Sequence, residues 1–278
     1  MRICFTSDLH GRADLFEQLD RLLRVELPDL VILGGDMFPD GDLEDPLGTQ
    51  TAYVERSFLP RVGGWKQAVP NLTVALILGN HDWACTEDAL RLCHGRGELV
   101  LLTHERVWTH DGVNFLGYSP TPPTPHWLKD FERLDLPGDP IPETGGAVWD
   151  RERRCVRRAL PAEHFGSRAA LSEDLARAPL VSGPWMFVSH VPPFGCGLDR
   201  LPHVDHPVGS RATRAFIEER QPLCALHGHI HESPDVSGRF TCELGATLCI
   251  NPGQGPRLKA VLFESTDPRG TLRHTVYM

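Results

Sequence analysis

The chain has 278 residues, a formal net charge of −9, 41% hydrophobic and 23% charged residues. These proportions suit a folded chain with a sizeable core and exclude wholesale disorder and fibrous architectures. The acidic balance disfavours binding along a nucleic acid backbone, which requires clustered Lys and Arg, and so weighs against a nuclease. No apolar run reaches the roughly 18 residues of a membrane-spanning helix. The stretch Met1 to His10 lacks the apolar region of a signal peptide, so a cytoplasmic protein is expected. Eight cysteines, none spaced C-x-x-C, read as free thiols.

In chain order, short apolar runs predict strands at Arg2 to Ser7, Leu30 to Leu33, Thr73 to Leu78, Val113 to Tyr118, Trp185 to Ser189 and Leu223 to Leu226. Runs of this kind suit strands buried on both faces. Between them, Leu15, Phe16, Leu19, Leu22 and Leu23 recur at helical spacing within Ala13 to Val25 and form one apolar stripe. Thr86 reads as the cap of a helix ending near Gly95, and Ser210 as the cap of Arg211 to Arg220, stopped by Pro222. Residues 120–184 break the rhythm. Proline clusters at 122–125 and 137–142 forbid regular ladders, so this part is expected to be an irregular insertion or lid with a helix near Ser167 to Arg177. Consecutive strands are expected at Ala246 to Ile250, Lys259 to Glu264 and Thr271 to Tyr277. The alternation of strands and helices predicts an α/β fold in one domain, 1–278.

Polar residues gather where these strands finish: Asp8-x-His10, Asp36, Asn80-His81-Asp82, His190 and His229-x-His231. Strands of one sheet carry their following turns to a common edge, which would bring five separate clusters together. Carboxylate, carboxamide and imidazole donors without thiolate suit Mn, Fe or Zn in an open site.

The same residues resemble the calcineurin-like metallophosphoesterase family, whose blocks D-x-H, G-D, G-N-H-[D/E], a separate H, and G-H-x-H are met by Asp8/His10, Gly35-Asp36, Gly79-Asn80-His81-Asp82, His190 and Gly228-His229-Ile230-His231. The likeness runs from residue 3 to residue 253, and Asn251-Pro252-Gly253 resembles a turn of compact prokaryotic, phosphodiesterase-like members. It implies a four-layer α/β/β/α sandwich of the metallophosphoesterase type, with the Pro-rich insertion set within it. It also implies two metal ions: Asp8, His10 and His231 on one, Asn80, His190 and His229 on the other, and Asp36 between them. A water shared by the ions and deprotonated there would attack phosphorus, and His81 would protonate the leaving group. Many relatives place an acid three residues after the bridging aspartate; here Pro39 stands there and Asp40 follows. Asp82 is expected to orient His81, ahead of Asp40.

Arg12, beside the first motif, and Arg200, in the glycine-rich loop after His190, are candidates for binding substrate, each weighed against a plain surface cation; His203 and His206 lie on the same loop. His227 reads as a buried, hydrogen-bonded histidine, and His94, His104, His110, His126, His164 and His274 as solvated. The implied function is hydrolysis of a small phosphoester, a nucleotide among the candidates, with a diester preferred. A phosphomonoesterase and a catalytically silent scaffold are the alternatives.

Overall fold

The structure, a computed structural model, describes residues 1–276, so Tyr277 of the last expected strand lies outside the described residues. Among the described residues there are fourteen strands: β1 (Arg2–Thr6), β2 (Leu30–Gly34), β3 (Thr73–Ile77), β4 (Val100–Leu101), β5 (Trp108–His110), β6 (Val113–Tyr118), β7 (Gly146–Asp150), β8 (Cys155–Ala159), β9 (Trp185–Ser189), β10 (Cys224–Leu226), β11 (Thr241–Leu244), β12 (Thr247–Ile250), β13 (Lys259–Glu264) and β14 (Arg273–Val276). One six-stranded sheet runs β14-β13-β1-β2-β3-β4 and another β11-β12-β10-β9-β6-β5. Inside each, the central strands are parallel; antiparallel pairs close both edges of the second sheet and the β13–β14 side of the first, whose other edge, β4, is parallel to β3.

The alternation of side chains along each strand divides the core into layers. Cys4, Val31, Leu33, Val74 and Leu76 face outward and receive the stripe of α1 (Ala13–Glu26), whose Leu15, Phe16, Leu19, Leu22 and Leu23 are buried. Each such side chain contributes about 1.5–3 kcal/mol by leaving water. Their strand neighbours Ile3, Phe5, Leu30, Ile32, Ala75 and Ile77 face the second sheet and meet Phe115, Met186, Val188, Leu226 and Ile250. On the far side, Leu116, Phe187, Ala225 and Cys249 pack on the outer helices. This is the expected four-layer sandwich, and it explains why the strands read as unbroken apolar runs.

Between β2 and β3 the chain takes a path that its pattern does not announce. Two π-helical turns, Leu47–Thr51 and Val54–Phe58, lead into α2 (Leu59–Ala68). Next comes α3 (Thr86–Gly95), where Thr86 does not cap: it lies within the first turn, and its hydroxyl donates back to Trp83 O at 2.7 Å. Residues 120–184 hold more order than expected, namely the hairpin β7–β8 and two short helices, α4 (Pro161–Gly166) and α5 (Leu171–Ala176), in place of one helix. Ser210 caps α6 (Arg211–Arg220) as expected, accepting from Thr213 N at 2.9 Å. The three carboxyl-terminal strands are split between sheets, β12 in one and β13 and β14 in the other, so the Asn251-Pro252-Gly253 turn lies on a crossing between sheets. No helix among the described residues is long and apolar enough to cross a membrane.

Candidate metal centre

The turns after β1, β2, β3, β9 and β10 converge at one edge of the paired sheets, and their backbones are unusual. Asp8 (φ 58°), His10 (φ 46°), Asp36 (φ 53°) and His229 (φ 64°) all occupy the left-handed region, which L-residues other than Asn and Asp rarely adopt. Four such residues in one place aim their side chains inward instead of along the departing chain. Two glycines make room for them. A Cβ on Gly79 would fall 2.2 Å from Asp36 Oδ1, and one on Gly228 would fall 2.4 Å from Asp8 Oδ2.

Hydrogen bonds then hold the donors. His229 N donates to both oxygens of Asp8, at 3.0 and 3.1 Å, and His81 N donates to Asp36 Oδ1 at 2.7 Å. His190 Nδ1 bonds Gly34 O at 2.8 Å, which assigns its proton to that nitrogen and turns Nε2 toward the site, 3.0 Å from Asp36 Oδ2. Asn80 Oδ1 lies 2.9 Å from His229 Nδ1 and 3.3 Å from His190 Nε2. Asp8, His10 and Asp36 have ligand atoms within 4.8 Å of one another, as do Asp36, His190 and His229, so Asp36 belongs to both groups. A third group, His10, Asp40 and His81, is equally tight, but Asp40 Oδ1 is already engaged by His81 Nδ1 at 2.6 Å. His231 stands at the rim, its ring centroid 5.9 Å from that of His10.

The electrostatics are those of a site short of positive charge. Burial alone would raise the Asp36 carboxyl, but the charge and hydrogen bond of His190 outweigh it and hold the group well below the usual carboxylate range. Burial likewise opposes charge on His190, yet Asp36 lifts it to about 9. Burial, reinforced by repulsion from His190, pushes His229 down to about 3, leaving it neutral. Buried carboxylates facing imidazoles, with no thiolate, are a donor set that fits divalent cations.

The carboxylate that meets His81 is Asp40, which corrects the expectation for Asp82. Asp82 is fully buried and accepts from Asp36 N (2.9 Å), Gly79 N (2.9 Å) and Phe38 N (3.2 Å), tying two ligand loops together. Burial, with repulsion from Asp36, raises it to about 7.

Above these groups opens a cleft of about 470 Å³, lined by His10, Asp36, Asn80, His81, His229 and His231 on its floor. Pro122, Pro123, Thr124, Pro125 and His126 wall one side, and Leu201, Val204, His206 and Val208 the other. Neither Arg12 nor Arg200 lines it. The Arg12 guanidinium reaches Gly255 O (2.8 Å) and Asp14, and the Arg200 backbone is held by Ser233. Of the loop candidates, His206 lines the cleft and His203 does not.

Two contributors had no sequence signal. Gln50, buried in the first π-helical turn, donates to Pro39 O and His81 O and accepts from Trp83 N, so one carboxamide aligns the Asp40 and His81 loops. His126, expected to be solvated, stacks on His81 with centroids 3.7 Å apart. His164 is also buried, against Phe165, contrary to expectation. His227 is buried and bonds Ser189 O at 3.0 Å, as read.

Comparison with known proteins follows the same line. No curated protein matches the sequence. One solved structure aligns with TM-score 0.65 at 14% identity over 100% of this chain and 99% of the other. A Thermus thermophilus protein aligns with TM-score 0.59 at 17% identity over 100% and 99%. A dimetal phosphatase from Danio rerio aligns with TM-score 0.51 at 12% identity over 100% and 99%. At these identities the likeness is one of fold. The model of the calcineurin-like phosphoesterase family, however, matches residues 1–233, and with most of the chain thus accounted for, the protein belongs to that family of metal-dependent phosphoesterases.

Proposed function

We propose that the chain is a phosphodiesterase working with two divalent ions of the Mn, Fe or Zn type. The observation that carries this reading is Asp36, a single buried carboxylate common to two groups of ligand atoms. Asp8 and His10, with His231 at the rim, would complete one position; Asn80, His190 and His229 would complete the other. Two dications held there would supply Lewis acidity toward the phosphoryl oxygens and would lower the pKa of a bound water. Against them stand the two carboxylates Asp8 and Asp36, which leaves net positive charge to attract an anion.

The remaining chemistry falls to His81. Its Nδ1 is engaged by Asp40, so Nε2 is the nitrogen free to deliver a proton to the departing oxygen. Burial opposes protonation of His81, but the Asp40 hydrogen bond and the nearby carboxylates raise it above the ordinary histidine value, which suits an acid. Preference for a diester rests on the cleft lining. Its walls are mostly prolines and aliphatic side chains, joined by Thr124, His126, His206 and Glu232, with no Lys or Arg among the described residues that line it. A monoester dianion calls for an added cation, whereas a diester carries one negative charge and a second substituent that an apolar wall can cover. The wall from residues 120–184 is thus assigned to substrate selection.

The test is a metal-reconstituted comparison of bis(4-nitrophenyl) phosphate with 4-nitrophenyl phosphate, with metal content measured on the same sample. Higher kcat/KM for the diester is expected. Faster monoester turnover would replace this reading with a monoesterase, and absence of bound ions together with no turnover of either ester would point to the scaffold.

A further inference from the structure

We infer that His126, carried in by residues 120–184, is a positioning residue that clamps the His81 ring for proton delivery. This rests on the reading of His81 as the acid. Three contacts confine that ring. Asp40 Oδ1 holds Nδ1 at 2.6 Å, the His10 ring meets it edge-on with centroids 4.8 Å apart and 78° between planes, and His126 covers its face at 3.7 Å and 29°. Hydrogen bonding alone leaves a ring free to swing about its donor. A stacked partner removes that swing, and a swing of about 1 Å at the reacting atom is enough to cost a large factor in rate.

The clamp is itself built rigidly. His126 N donates to Thr124 Oγ1 at 3.1 Å, and that hydroxyl donates to Glu132 Oε1 at 2.6 Å. Lys129 Nζ donates to Thr124 O at 2.7 Å and to Glu132 Oε2 at 2.8 Å. The Lys129 and Glu132 side chains are 1% and 0% exposed, so this is an ion pair sealed from water beneath the cleft wall. Prolines at 122, 123 and 125 restrict the backbone on the approach. On the other side the rings continue inward, His126 to Trp127 (5.1 Å) and Trp127 to Trp83 (5.5 Å), ending in a buried cluster with Leu128, Ala147 and Trp149. A simple cleft wall would not need an anchored ladder of rings ending on the acid. Burial, and then the charge of His81, press His126 down to about 4, so it remains neutral and adds no second cation to the stack.

The experiment uses His126→Ala and His126→Phe in the full chain, with bis(4-nitrophenyl) phosphate, whose leaving group needs little protonation, and diphenyl phosphate, whose leaving group needs more. His126→Ala is expected to lower kcat on diphenyl phosphate by about 10- to 100-fold, with KM little changed and a much smaller loss on the nitrophenyl ester. His126→Phe, which keeps a stacking face, is expected to restore most of the loss. In the metal-free protein, the NMR signals of the His81 ring protons should move toward those of an unstacked imidazole in His126→Ala and remain perturbed in His126→Phe. Equal losses on both esters, a Phe variant as poor as Ala, or unmoved His81 signals in His126→Ala would each overturn the clamp. If the unaltered protein hydrolyses neither ester, the phosphodiesterase reading fails, and the ring signals alone decide the clamp.

Discussion

The floor and the wall of the cleft are held in place by different means. On the floor, the candidate ligands sit on tight turns at the ends of parallel strands, four of them with positive φ, and are oriented by backbone amides and by the buried Asp82. The wall at residues 122–126 belongs to no sheet layer; it hangs on the sealed Lys129–Glu132 pair and on the packed Trp127 and Trp83 rings. The floor inherits its precision from the sandwich, whereas the wall carries a separate anchor of its own. Such a division lets the wall change shape without disturbing the ligands, which suits the selection of substrates on a common chemistry.

The largest expected effect tests the floor. Asp36→Asn removes the carboxylate common to both ligand groups, so kcat/KM should fall by on the order of 10³-fold, and elemental analysis should find fewer than two ions per chain. Two retained ions with full turnover would refute the sharing of Asp36. Next comes the anchor of the wall. Lys129→Met strands Glu132 in the interior and should cost about 3–5 kcal/mol of stability, read from the denaturant midpoint, while Lys129→Met/Glu132→Leu recovers much of it. If the single variant weakens metal affinity as much as it weakens the fold, floor and wall are one unit and the contrast fails.

A smaller pair of effects separates two neighbouring acids. Asp82→Ala leaves three backbone donors without their acceptor and should destabilise the protein by about 1–3 kcal/mol or more. Asp40→Asn, at the cleft edge, should leave the melting temperature unchanged and slow diphenyl phosphate about 10-fold. The opposite pattern would return Asp82 to the role of orienting His81. The smallest effect belongs to His164, beneath the wall. Burial, with the charge of Arg168 and Arg133, depresses it to about 3. Below pH 6.5 the unfolded chain takes up a proton that the folded one refuses until near pH 3, so stability falls as pH drops through that window. His164→Leu should flatten the acid side of the stability curve between pH 6.5 and pH 3; an unchanged slope would place the acid sensitivity elsewhere.

Reading the chain without coordinates succeeds best where chemistry is local. The strand-end clusters, the α1 stripe and the Ser210 cap need only a few adjacent residues and the spacing rules of strand or helix. It fails where a contact spans the chain. Arg12 adjoins a ligand motif but turns away to Gly255, far along the sequence. His126 and His164 look like any other isolated histidine until the fold stacks the first on His81 and buries the second against Phe165. Asp82 and Asp40 cannot be ranked by spacing, because the direction each carboxylate takes depends on which loop folds over it.

The amino-acid order alone therefore determined the layered α/β plan and the inward-facing donors, since apolar periodicity and turn chemistry act over a handful of residues. Tertiary packing decided which carboxylate meets His81, which arginines stay outside the cleft, and which ring covers His81. Those outcomes depend on side chains 41 to 243 positions apart, where only the folded path of the backbone sets who meets whom.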